Sequence, residues 1–124
     1  MNIALWILQI LFSVLFLLHG GALLVPPASL RDSFAADFAQ LPVGFQSLIG
    51  IAEFLAGLGL ILPGLTKIAT WLTPLAAAGL LPIMLGAILV HARRGETLPM
   101  NFNIVTTLLL ALIAYLRWRV LPLG

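Results

Sequence analysis

The chain is 124 residues long, 62% hydrophobic and only 8% charged. Soluble domains carry about 25% charged residues, so this composition is too poor in charge to clothe an aqueous surface, and the solvent it implies is lipid. A net charge of only +2 excludes a nucleic-acid footprint, and the absence of cysteine excludes disulfides, iron–sulfur ligation and thiol catalysis.

Four continuous apolar stretches follow one another, over about 3–25, 44–63, 71–91 and 101–118, within one membrane domain covering 1–124. About 20 helical residues cross a hydrocarbon core about 30 Å thick. The runs do not alternate as barrel strands do. No Lys or Arg precedes the first stretch and no small-residue cleavage site follows it, so it reads as an uncleaved span. Pro26-Pro27 ends it. In "SLRDSFAADFAQL", Ser29 is a candidate N-cap with Asp32 three residues on. Leu30, Phe34, Phe38 and Leu41 share one face there, away from Arg31, Asp32 and Asp37. The pattern predicts a short amphipathic helix in the membrane surface or, equally, a helical loop packed on the bundle end.

The second span runs from Gly44 and is expected to close at Pro63-Gly64. Trp71 marks an interface for the third, where Thr73-Pro74 offers a cap followed by a proline at the first helical position. Pro82 is expected to kink this helix. Gly95, after Arg93-Arg94, is a C-terminal cap candidate. Pro99 precedes the fourth span, which ends at the interfacial Trp118. The fold class is all-α: an integral membrane four-helix bundle with a short amphipathic helix in the first loop.

Four spans put both termini on the side of the Lys67 loop. Lys67, Arg117 and Arg119 on that side balance Arg31, Arg93 and Arg94 on the other, so the positive-inside rule gives no decision. A cytoplasmic placement of the termini is the working expectation. Met84 and Met100 read as packing, and Arg117 and Arg119 as headgroup anchors.

The intramembrane polar residues carry the functional signal. Glu53 falls near the bilayer centre, where an ionised acid facing lipid costs about 3 kcal/mol on insertion scales. Gln46, Gly50, Glu53 and Gly57 share one helical face, polar and small. His19, Gln46, His91, Asn103 and Thr106 all fall in the half of the membrane nearer the charged loops, and only Gln9 and Ser13 lie across the centre. These depths predict a polar recess open towards those loops, with Glu53 at its floor, protonated or paired with His19 or a cation. The competing reading makes Glu53 a hydrogen bond between helices, His19 a cap on carbonyls near Gly20-Gly21, and His91 a boundary residue. No metal site is expected, since the two histidines and the acid lack ligand spacing. No nucleophile–base pair, phosphate loop or nucleotide fingerprint occurs, so no catalytic residue is assigned.

The stretch "LIGIAEFLAGLGLILPGLTKIATWLTPLAAAGLLPIMLGAILVHARRGE" resembles the DoxX-like family of small bacterial membrane proteins, and the first span and "NIVTTLLLALIAYLRWR" fit as well. Glu53, Gly57, Pro63, Trp71, Pro74 and His91 are at matching positions. Members often carry a lysine after a small-residue turn late in the first helix. Here "HGGALL" has His19 and no lysine. The resemblance implies a four-helix protein of the bacterial inner membrane, similar to a membrane subunit of a thiosulfate:quinone oxidoreductase.

Three functions are then open. The first is a binding or accessory subunit of a membrane redox system. Its ligand site would comprise Glu53, His19, Gln46, His91, Asn103 and Thr106, its ligand would be a small amphipathic or quinone-like molecule, and a redox protein partner would carry the electrons. The second is a structural or assembly protein in which Glu53 joins helices. The third is a small-solute or proton transporter, which four helices can support only as a homo-oligomer. The cofactor is left unassigned.

Overall fold

The computed structural model describes residues 1–24, Ser29, Asp32 and 41–123. Its four long helices are α1 (Asn2–Leu24), α2 (Val43–Thr66), α3 (Leu72–Arg93) and α4 (Thr97–Tyr115), the last running on into a π-helical turn, Leu116–Val120. There is no strand among the described residues. Each helix, with the π turn counted in α4, has 22 to 24 residues and is apolar enough to cross a membrane. Their rise of 1.5 Å per residue gives each about 33–36 Å of length. The amphipathic helix predicted in the first loop lies outside the described residues, apart from Ser29, Asp32 and Leu41.

Packing follows from the absence of water on the outside. Lipid-facing positions such as Ile7, Leu11, Leu18, Leu55, Leu85 and Leu108 are large, apolar and about half exposed or more. Inside, Leu5, Phe12, Phe16, Leu60, Leu80, Leu110 and Ile113 form the main core. The close pairs are α1 with α2 and α3 with α4; α2 packs on α3, whereas α1 and α4 scarcely touch. A gap is therefore left between α1 and α4, with α3 behind it.

The helix ends depart from the expected punctuation in three places. α2 does not close at Pro63-Gly64 but runs through Pro63 to Thr66, stopping where Lys67 turns left-handed at φ 61°. A proline cannot donate to the carbonyl four residues back, here Gly59. That carbonyl accepts instead from the Thr73 hydroxyl at 2.8 Å. A side chain from the neighbouring helix thus replaces the lost bond, which is how a buried proline is tolerated in lipid. In consequence Thr73 does not cap α3, which starts at Leu72 after Trp71. Pro99 lies within the first turn of α4, which already begins at Thr97. Its missing N–H would have had no partner inside the helix anyway. Pro82 also sits inside a continuous α3.

The Gly95 expectation is met. Gly95 takes φ +70°, its N–H donates to the Ala92 carbonyl at 3.2 Å, and the Glu96 N–H donates to the His91 carbonyl at 2.9 Å. This pair of bonds is a Schellman motif, and it turns the chain from α3 into α4 within three residues, Arg94–Glu96.

Candidate functional site

The seam between α1 and α2 is built from small and polar residues, because apolar contact alone gives no net drive to associate in a hydrocarbon solvent. Gln9 Nε2 donates to the Leu60 carbonyl and Ser13 Oγ to the Gly57 carbonyl, both at 2.7 Å. About two turns further along, Gly20 lies against Gly50. A Cβ on Gly20 would sit 2.8 Å from the Gly50 carbonyl oxygen and 2.9 Å from the Phe54 nitrogen, so only glycine allows this approach. The face expected on α2 is present: Gln46, Gly50, Glu53 and Gly57 are all buried.

Glu53 sits near the middle of α2, wholly excluded from the surrounding solvent. Its Oε2 lies 2.5 Å from Nδ1 of His19, directly beside the Gly20–Gly50 contact. The separation requires one proton held between the two atoms. Through Nδ1 the ring therefore reaches across to α2. His91 makes a second pair of the same kind, with Nδ1 2.8 Å from Glu96 Oε1 across the Schellman turn. A carboxylate on one ring nitrogen fixes the tautomer and the plane of the imidazole.

Between α1, α3 and α4 lies a cavity of about 410 Å³. Its polar lining is His19, His91, Asn103 and Thr106, and its apolar walls include Leu15, Phe16, Met84 and Phe102. Four of the six predicted site residues thus converge on one space. The Thr106 hydroxyl donates to the Phe102 carbonyl at 2.9 Å. Asn103 is 8% exposed, and its Nδ2 is buried with no hydrogen-bond partner among the described residues.

The other two residues stand elsewhere. Glu53 does not line the cavity; it backs His19 from the α2 side, so the expected floor is the imidazole and not the acid. Gln46 is buried at the start of α2, where its Nε2 donates to the Leu41 carbonyl at 2.7 Å. A roomier space of about 530 Å³ between α2 and α3, lined by residues such as Phe45, Ile49, Pro82 and Val90, has no charged or hydrogen-bonding side chain among the described residues of its lining.

Sequence reasoning overlooked two residues. Glu96 carries no role in the sequence reading, although it lies five residues from His91 and pairs with it. Arg117 was read as a headgroup anchor, yet it is 3% exposed. The signal was its spacing: Asn103, Thr106, Leu110, Ile113 and Arg117 recur every three or four residues, which is the inward stripe of α4.

No curated protein and no solved structure matches the chain significantly. The sequence profile of the DoxX-like family matches residues 7–114, from the first turns of α1 to the penultimate residue of α4. This four-helix membrane protein belongs to the DoxX-like family.

Proposed function

We propose that the chain is a membrane-embedded binding subunit whose cavity takes the polar head of a small amphipathic, quinone-like molecule. A redox protein partner handles the electrons, in the bacterial cytoplasmic membrane, with both termini of this chain in the cytoplasm. The observation that carries the reading is the buried Asn103 amide. Its Nδ2 has no partner among the described residues, and its side chain lines a space that also holds two carboxylate-oriented imidazoles. A buried amide donor left unpaired costs about 1–3 kcal/mol, and a ligand carbonyl would remove that cost. The apolar walls suit a ring and the start of a hydrocarbon tail, which leaves through the gap between α1 and α4. A volume of about 410 Å³ lies within the usual range for small-molecule sites.

In this reading His19 is the group that exchanges a proton with the bound oxygen as the ligand's redox state changes. Glu53 holds the ring and balances its charge. His91 and Asn103 orient the polar head, and Thr106 completes the wall. The test is titration of a short-chain quinone into protein reconstituted in nanodiscs, followed by melting temperature. The wild type is expected to gain stability saturably. Asn103→Leu is expected to fold and to lose about five- to tenfold in affinity. A wild type indifferent to quinone, or an Asn103→Leu variant that binds as well, refutes the proposal.

One observation favours a second reading. Glu53 lies at the Gly20–Gly50 crossing and outside the cavity lining, as an interhelical fastener would. If Glu53→Gln loosens the bundle in detergent while no quinone affects the wild type, Glu53 serves assembly alone.

A further inference from the structure

At the opposite end of the bundle, Arg117 is a buried cation with neutral company. Nε donates to Gln9 Oε1 at 2.7 Å, and Nη1 donates to Asn2 Oδ1 at 2.6 Å and to the Leu121 carbonyl at 3.0 Å. The guanidinium also lies 5.8 Å from the centre of the Trp6 ring. These bonds use three of the five N–H donors of an arginine. The two on Nη2 are buried and have no partner among the described residues. No carboxylate among the described residues reaches Arg117. The acids there are Asp32, Glu53 and Glu96, and the latter two are committed to histidines in the other half of the molecule or at its centre. A buried charge held only by dipoles is costly unless an opposite charge joins it.

The π turn keeps this arrangement in place. The Leu121 N–H reaches back to the Leu116 carbonyl at 2.6 Å, which brings the Leu121 carbonyl under Nη1 and leaves Trp118 and Arg119 facing outward. Such π turns recur at functional sites. Arg117 also forms part of the wall of a cavity of about 170 Å³, together with Thr70, Trp71, Trp118 and Pro122. Trp71 and Trp118 are each more than half exposed, as interfacial aromatics are at headgroup level.

We propose that this cavity is an oxyanion site that takes one phosphate group. The Arg117 Nη2 donors and the Thr70 hydroxyl bond to its oxygens, while the two tryptophans border the group it belongs to. Phosphate chemistry fits because a guanidinium edge bonds two oxygens of a tetrahedral anion at once. The phosphate comes either from a phospholipid headgroup or from free phosphate in the adjoining water.

The experiment uses the full chain, stripped of lipid in an uncharged detergent, with melting temperature as readout. The probes are dioleoylphosphatidylglycerol, inorganic phosphate, and dioleoylglycerol, which has the same chains and no phosphate. The wild type is expected to gain stability saturably with a phosphate-bearing probe and not with dioleoylglycerol. A rise with the phospholipid alone assigns the site to a headgroup; a rise with inorganic phosphate as well shows that the oxyanion suffices. Arg117→Gln is expected to weaken the response at least about tenfold, and Arg119→Gln, on the outward face, less than about twofold. Because Arg117→Gln also cuts the link between α1 and the π turn, Thr70→Glu supplies a second test. It places a carboxylate in the cavity, so it is expected to melt higher without any probe and to stop responding to phosphate. The proposal is overturned if neither phosphate probe stabilises the wild type. It is equally overturned if Thr70→Glu responds with unchanged affinity, or if Arg119→Gln loses as much as Arg117→Gln.

Discussion

A carboxyl group halfway through a hydrocarbon layer is stable only if its oxygens are turned away from the acyl chains and given partners. Oε2 of Glu53 meets that condition through His19, and the glycines at 20 and 50 bring the two helices close enough for a 2.5 Å contact. Removing one partner of such a pair harms more than conservatively altering it. His19→Leu is expected to lower stability by about 2–3 kcal/mol, because the acid then loses the imidazole in a medium of low polarity. Glu53→Gln keeps an oxygen that can accept from the ring and should cost about 1 kcal/mol or less, typical of bonds between membrane helices. Unfolding by dodecyl sulfate in mixed micelles measures both, and the reverse order of costs would contradict the geometry. That Glu53 points inward was legible from sequence, since depth and charge alone demand it. That the acid would stand behind His19 and not at the cavity floor was not legible. Helical spacing gives the face of a residue, but not which neighbour its side chain reaches. Arg117 was misread for a related reason: Trp118 and Arg119 beside it do face outward, and chain neighbours on a helix point about 100° apart.

At the level of the helix, composition located all four spans because the lipid-facing side must be apolar along its whole length. It locates their ends less well, because a proline in the sequence reads as a terminator. In water that reading is usually sound; in lipid the outcome depends on whether another helix offers a donor to the freed carbonyl. Thr73 gives that donor to Gly59, so α2 continues past Pro63. A double-mutant cycle tests this account. Thr73→Val should destabilise by about 1 kcal/mol in the natural background. In a Pro63→Ala background, where residue 63 regains an N–H for Gly59, the same change should cost much less. Equal costs in both backgrounds would break the proposed link between proline and hydroxyl. The α1–α2 crossing makes a matching prediction. Gly20→Ala drives a methyl group into the backbone of α2 and should cost about 1–3 kcal/mol. Gly21→Ala meets nothing within 4 Å and should be neutral or stabilising by about 0.5 kcal/mol.

For the molecule as a whole, the alternating directions of α2, α3 and α4 follow from the short connections 67–71 and 94–96, each far too short to recross a bilayer, and the Gln9–Leu60 and Gly20–Gly50 contacts run α1 antiparallel to α2. The choice between the two faces was not legible, because three basic residues lie on each side and acids contribute little to insertion. The natural chain has no cysteine, so single cysteines report topology without any background. Ile68 and Val120 are exposed at one end of the bundle and Arg94 at the other. With cytoplasmic termini, a membrane-impermeant maleimide applied to intact spheroplasts should label Arg94→Cys at once. It should reach Ile68→Cys and Val120→Cys only after the membrane is opened. The mirror-image pattern would keep the fold and place the His19–His91 cavity nearer the cytoplasm, so that a redox partner would have to approach from inside the cell. Labelling of Ile68→Cys and Arg94→Cys from the same side would contradict the four-span topology itself, since α3 alone separates them.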